Sequence, residues 1–128
     1  MRALLDTHTF LWWIVDDGRL SRRASAIIAD RTNEIYFSAI SGWEIAEKAR
    51  RAKLSLPSDP ESFVAEQVVS NAFEVLPLEL THALHVFSLP AHHKDPFDRM
   101  LIAQAQIEEL ALLSADHEIA RYAVEVIW

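Results

Sequence analysis

Short apolar runs alternate along this chain with longer segments whose apolar positions repeat at helical spacing. "RALLDT" reads as a short buried strand ending in a polar pair, and "HTFLWWIVDD" carries apolar residues on more than one face, as a well-buried helix does. "SRRASAIIADR" predicts an amphipathic helix opened by Ser21, and "EIYFSA" the next strand. "SGWEIAEKARRAKL" predicts a helix whose basic residues come late, where they suit the helix dipole. The alternation continues through "PESFVAEQVVSNA" as helix, "FEVLPL" as strand, "ELTHALHVFSL" as helix and a polar loop containing "PAHHKD". The helix "PFDRMLIAQAQIEEL", the strand "ALLSAD", the short helix "HEIARYA" and the closing strand "VEVIW" complete the chain. Such alternation implies an α/β fold, with a mainly parallel central sheet of about five strands covered by helices on both faces. In open α/β sheets, chemistry gathers beyond the carboxyl ends of the strands.

Composition narrows the class. A chain of 128 residues, 51% of them apolar, is expected to form one compact domain over residues 1–128. Two glycines, five prolines and no low-complexity stretch indicate neither linker nor disordered tail. The absence of cysteine excludes disulfides and thiolate metal sites and is compatible with a reducing cytoplasm. No run reaches the ~20 residues needed to span a bilayer, and the N-terminus lacks a small-residue cleavage site. A soluble, unprocessed, cytoplasmic protein is expected. The formal net charge of −7 argues against a broad electrostatic footprint for nucleic acid. Basic residues nevertheless cluster at Lys48, Arg50, Arg51 and Lys53 and at Arg19, Arg22 and Arg23, where they form either local positive surfaces or solvated helix faces.

Four acids fall at strand ends or helix starts that this topology brings to one edge of the sheet. Asp6 follows "ALL", Glu44 lies in the first turn of the helix after the second strand, Asp98 opens the late helix, and Asp116 follows "LLSA". Converging carboxylates repel one another unless a cation joins them, and an oxygen-rich, cysteine-free site favours a hard ion such as Mg²⁺ or Mn²⁺. Each acid also has a purely structural reading. "SGWE" matches a capping box, with Ser41 as N-cap and Glu44 reaching back. "DPFD" places Asp95 as N-cap, Pro96 first in the helix and Asp98 third. Asp116 suits the cap of "HEIARYA", and Asp6 suits a turn or helix cap, although a carboxylate straight after an apolar strand is partly buried and needs a partner.

"LLDTHTFLWW", "FSAISGWEIAEKARRAKL", "HHKDPFDRMLIAQA" and "ALLSADHEI" occur in the order and spacing of PIN domains. Together they resemble the VapC toxins of bacterial toxin–antitoxin pairs, from the first strand almost to the C-terminus. The resemblance implies a three-layer α/β/α fold and a metal-dependent endoribonuclease that hydrolyses phosphodiesters with metal-activated water, leaving a 5′-phosphate and a 3′-hydroxyl. It maps the four catalytic, metal-holding acids to Asp6, Glu44, Asp98 and Asp116. Asp98 is preferred to Asp95 because the third acid of the pattern immediately precedes the apolar-and-small run, here "RMLIAQA". One or two Mg²⁺ (or Mn²⁺) ions are implied, together with an RNA substrate, an antitoxin covering the active-site groove, and a homodimer.

Thr7 and Ser114 stand beside the acids as candidates to orient a carboxylate or a metal-bound water, with Ser38 and Ser41 weaker ones. Arg99, Lys48, Arg50 and Arg51 are candidate RNA contacts, Arg99 having a structural alternative as a carboxylate partner. Lone histidines such as His8, His92 and His93 are more often surface or hydrogen-bonded core groups than ligands. Trp12 and Trp13 suit core packing better than base stacking. An apolar groove between "HTFLWW" and the "SGWEIAEKARRA" helix would suit an amphipathic partner helix. Among rival readings, an aspartyl phosphatase needs a second Asp where His8 stands, and a His-x-His hydrolase needs a His where Phe10 stands. A catalytically silent PIN-like module that binds RNA or protein is the remaining alternative.

Overall fold

The computed structural model describes residues 1–128. Five strands, β1 (Arg2–Leu5), β2 (Glu34–Ser38), β3 (Glu74–Leu76), β4 (Ala111–Leu113) and β5 (Val126–Ile127), form one parallel sheet in the order β3-β2-β1-β4-β5. Six helices accompany them: α1 (Thr7–Ile14), α2 (Arg22–Ala29), α3 (Ala39–Arg50), α4 (Pro60–Ser70), α5 (Leu80–His85) and α6 (Pro96–Glu108). The expected α/β class and five-stranded sheet are therefore both present, and every strand pair is parallel.

The three layers follow from the alternation of side chains along each strand. Ala3, Leu5, Ile35, Phe37, Ala111 and Leu113 point into one core with Phe10 of α1, Ile28 of α2, Ile45 of α3 and Phe63 of α4. Leu4 and Leu112 point the other way, into a second core with Leu101, Ile102 and Ala105 of α6. Both faces are dry, which is why the central strands read as unbroken apolar runs rather than alternating ones. Removing a side chain such as Leu4 or Leu112, each fully buried, costs about 2–5 kcal/mol.

Three boundaries differ from the sequence expectation. Ser38, not Ser41, caps α3: its Oγ accepts the Ile40 N–H at 3.0 Å while its hydroxyl donates to Gln104 of α6. Ser41 thus lies inside the helix, fully buried. "HEIARYA" yields only a 3₁₀ turn at Ile119–Arg121, because Ile119 and Tyr122 are both drawn into the second core. "ELTHALHVFSL" is helical only to His85, followed by a 3₁₀ turn at Val86–Ser88. Helices α1, α3, α4 and α6 each run into a non-glycine residue at positive φ: Asp16 (54°), Ala52 (56°), Ala72 (56°) and Glu109 (55°). Each corner is closed by a bond across it, such as Phe73 N–H to Val68 O at 3.0 Å and Lys53 N–H to Lys48 O at 2.8 Å.

Candidate active site

The strand order reverses between β1 and β4, and a crevice outside the carboxyl ends of the strands is expected there. Asp6 leaves β1 beside Leu113 of β4, its N–H donating to Leu113 O at 3.2 Å. It is also the N-cap of α1, its Oδ1 accepting the Thr9 N–H at 2.8 Å, while the Thr9 hydroxyl donates to Leu113 O at 2.9 Å. After β4, Ser114 Oγ accepts the Asp116 N–H at 3.0 Å, and Asp116 Oδ1 accepts the Glu118 N–H at 2.8 Å. From the opposite side comes α6, capped by Asp95, whose Oδ1 accepts the N–H groups of Phe97 and Asp98 at 2.9 and 3.3 Å. Asp98 does not complete a capping box; its Oδ2 faces His93 Nε2 at 2.8 Å.

Asp6, Asp95, Asp98 and Asp116 line one cleft of about 400 Å³ with His8, Trp12, Arg19 and His93. The charges in it are poorly compensated. Burial, reinforced by the negative charges of Asp95 and Asp6, pushes the Asp98 carboxyl up to about 7 against the pull of its His93 bond. Burial likewise raises Asp6, opposed by its hydrogen bonds to Ser114 and Thr9. His93 Nε2 also stands 3.2 Å from Asp116 Oδ2, and single ligand atoms of His93, Asp98 and Asp116 all lie within 4.8 Å of one another. Buried Asp6, largely buried Asp98 and partly exposed Asp116, with one imidazole and no thiolate, make a donor set that fits a divalent cation.

Glu44 is placed differently from the three aspartates. It is buried, yet it does not line the acidic cleft. Thr7 Oγ1 donates to Glu44 Oε1 at 2.7 Å and stands 2.9 Å from Ser41 Oγ, while Lys48 Nζ pairs with Glu44 Oε2 one helical turn on. The capping box expected of Ser41 and Glu44 is not formed, because the helix starts one turn earlier than "SGWE" suggests. Among the candidate RNA contacts, Lys48 is thus engaged with Glu44, Arg50 pairs with Glu47, and Arg51 is exposed. Arg99 points away from the acids: its Nη1 donates to Pro90 O at 2.8 Å and to the Tyr122 hydroxyl at 3.1 Å, and its Nη2 donates to Val86 O at 3.3 Å. It ties down the loop before α6.

Two residues gain importance that local sequence did not give them. His93 bridges Asp98 and Asp116, a juxtaposition made only by the topology. Arg19, read as part of a basic cluster, lies over the Trp12 ring at 4.9 Å and borders both the acidic cleft and a second, larger groove of about 560 Å³. That groove is walled by Leu11, Ile14, Leu54, Leu56 and Phe63, with Lys48 and Lys53 at its rim, so α3 reaches it through Lys48 rather than along its length. Trp13, whose Nε1 donates to Asn71 Oδ1 at 2.9 Å, packs against the first core.

A parallel sheet in this order, with aspartates gathered where it reverses, is the architecture of PIN domains. The PIN-domain family model matches residues 3–125, and the chain belongs to that family. Ribonuclease VapC22 of Mycobacterium tuberculosis is 28% identical over 118 residues, covering 91% of this chain and 88% of the relative. The DNA-bound VapBC complex of Salmonella typhimurium contains a similar fold, with a TM-score of 0.72 at 22% identity, covering 99% of this chain and 97% of that one. VapBC2 of Rickettsia felis, bound to a promoter DNA fragment, matches with a TM-score of 0.72 at 13% identity, covering 99% and 98% of the two chains. No helix is long and apolar enough to cross a membrane.

Proposed function

We propose that this protein is a divalent-metal-dependent endoribonuclease and the toxin of a toxin–antitoxin pair. The observation that carries this reading is the convergence of Asp6, Asp98 and Asp116 in one cleft at the point where the sheet order reverses. A bound Mg²⁺ or Mn²⁺ ion supplies Lewis acidity for phosphodiester hydrolysis and makes an acidic cleft tolerable to an anionic substrate. Asp98 and Asp116 would hold it, with Asp6 completing the acidic wall. Glu44, bonded to Thr7 and Lys48, contributes by tying the start of α1 to α3. Ser114 steadies both Asp6 and the turn that presents Asp116. Exposed Arg51, with Arg50 and Lys48 beside it, offers a backbone-contacting surface for RNA.

The second groove supports the partner half of the proposal. It adjoins the acidic cleft through His8, Trp12 and Arg19, so one amphipathic antitoxin segment could fill the apolar groove and reach the aspartates with a basic side chain. A homodimer is supported by the apolar stripe of Leu80, Leu84 and Phe87, which are 73%, 66% and 97% exposed at successive turns. A sedimentation mass of one protomer at micromolar concentration would remove that assignment.

The test of the activity is cleavage of total bacterial RNA by the purified, antitoxin-free protein with Mg²⁺ or Mn²⁺, set against EDTA and an Asp6→Asn protein prepared identically. Metal-dependent cutting lost in Asp6→Asn is the expected result. Equal inactivity of both proteins on every RNA offered would favour the silent binding module instead.

A further inference from the structure

Among the acids of the cleft stands one nitrogen donor, and its setting is more constrained than a surface histidine's. His93 Nε2 lies 2.8 Å from Asp98 Oδ2 and 3.2 Å from Asp116 Oδ2. These spacings set the ring nitrogen between the two carboxylates, and single ligand atoms of all three groups lie within 4.8 Å of one another, close enough to share one ion. His93 Nδ1 has no partner within the protein and is free to carry the N–H while Nε2 offers its lone pair.

The loop that delivers the ring is braced. The His93 N–H donates to the Tyr122 hydroxyl at 2.8 Å, Arg99 donates to the same hydroxyl at 3.1 Å, and the His92 ring packs edge-on against Tyr122 at 5.1 Å. Tyr122 itself is buried in the second core. The backbone that carries the His93 ring is thus fixed beside the two aspartates.

Granted the metal-dependent reading above, we infer that His93 is a ligand of the metal through Nε2, so that the site is a mixed nitrogen–oxygen centre that favours Mn²⁺ or Co²⁺ over Mg²⁺. Magnesium prefers an all-oxygen shell, whereas imidazole suits the transition ions and raises their affinity along the series from Mn²⁺ upward. The alternative role for His93 is a counter-ion that occupies the metal's place in the free protein and leaves when the metal binds. The two roles give opposite results on removing the ring.

The experiment titrates Mn²⁺ and, separately, Mg²⁺ into the antitoxin-free full chain by calorimetry at pH 8, for the wild type, His93→Gln, His93→Ala and Asp98→Asn. Pulsed electron paramagnetic resonance of the Mn²⁺-loaded proteins then looks for ¹⁴N coupling. The expected outcome is tighter binding of Mn²⁺ than of Mg²⁺, a nitrogen coupling lost in both His93 variants, and a fall of roughly tenfold in their Mn²⁺ affinity with little change for Mg²⁺. Circular dichroism of both variants establishes that the fold is retained. Absence of nitrogen coupling in the wild type, or tighter binding of both ions without the ring, overturns the inference and leaves the metal site intact. If the wild type binds neither ion, the metal-dependent reading itself fails.

Discussion

Glu44 and Asp98 both project from the early turns of helices that leave the carboxyl edge of the sheet, and their surroundings are opposite. Glu44 is 3% exposed, but its charge is answered by Lys48 and by the Thr7 hydroxyl. Asp98 is less buried, shares its cleft with three other aspartates and has only a histidine for a partner, and its carboxyl is pushed up to about 7. Burial alone therefore does not prepare a carboxylate for a cation. What distinguishes Asp98 is that the protein supplies no permanent positive charge beside it.

The largest effect that tests this difference is on catalysis. Asp98→Asn is expected to lower the initial rate of metal-dependent RNA cleavage by at least about 100-fold, roughly 2.7 kcal/mol of barrier. Glu44→Gln should cost only about tenfold, since its contribution runs through the α1–α3 contact. Equal losses would mean that Glu44 swings into the cleft during the reaction.

Next comes the dependence of stability on pH without metal. Asp98 is raised from the ordinary aspartate value of 3.8 to about 7, so between those values the folded chain holds a proton that the unfolded chain has lost. The unfolding free energy must then fall as pH rises from about 4 to about 7 and level off above, a loss on the order of a few kcal/mol. Asp6, also raised by burial, adds a slope of the same sign, so the difference between wild type and Asp98→Asn isolates Asp98. Urea unfolding at pH 5 and pH 8 in EDTA reads it; parallel slopes in the two proteins would show that Asp98 is not the titrating group.

A smaller change is expected at the other acid. Lys48→Met strands the buried Glu44 carboxylate and should destabilise the protein by roughly 2 kcal/mol, discounted from the cost of a fully buried pair because Lys48 is partly exposed. Adding Glu44→Gln should recover most of that loss, and a simple sum of the two penalties in the double variant would dissolve the pairing. Smallest of all is Asp95→Asn, which keeps an effective N-cap and should leave thermal stability within about 0.5 kcal/mol and most of the cleavage rate. If Asp95→Asn were as inactive as Asp98→Asn, the two roles would have to be exchanged.

Much of the fold was legible because each central strand is dry on both faces: Leu4 and Leu5 enter different cores, so "ALL" reads as a continuous apolar run. The Glu44–Lys48 pairing obeys i,i+4 spacing, which places the two side chains on one helix face, but the sequence pointed Glu44 toward a metal or a capping box and Lys48 toward RNA. The start of α3 was not legible either. "FSAISGWE" contains two serines able to cap, and the choice is made by Gln104, 66 residues along the chain, which engages Ser38. Nor could the neighbourhood of His93 be read, since its partner Asp116 arrives only after β4 has paired with β1. Local rules see local partners; the cleft is assembled from segments that meet only in the finished sheet.

The four helix corners carry a consequence for how this protein can change. Glycine would occupy the left-handed backbone at Ala52 or Ala72 without the steric penalty that a Cβ incurs there, about 1 kcal/mol at each, visible as a rise in melting temperature. Neither residue borders the aspartate cleft. The chain thus holds an unused margin of stability, remote from the cleft, that can offset disruptive substitutions around it.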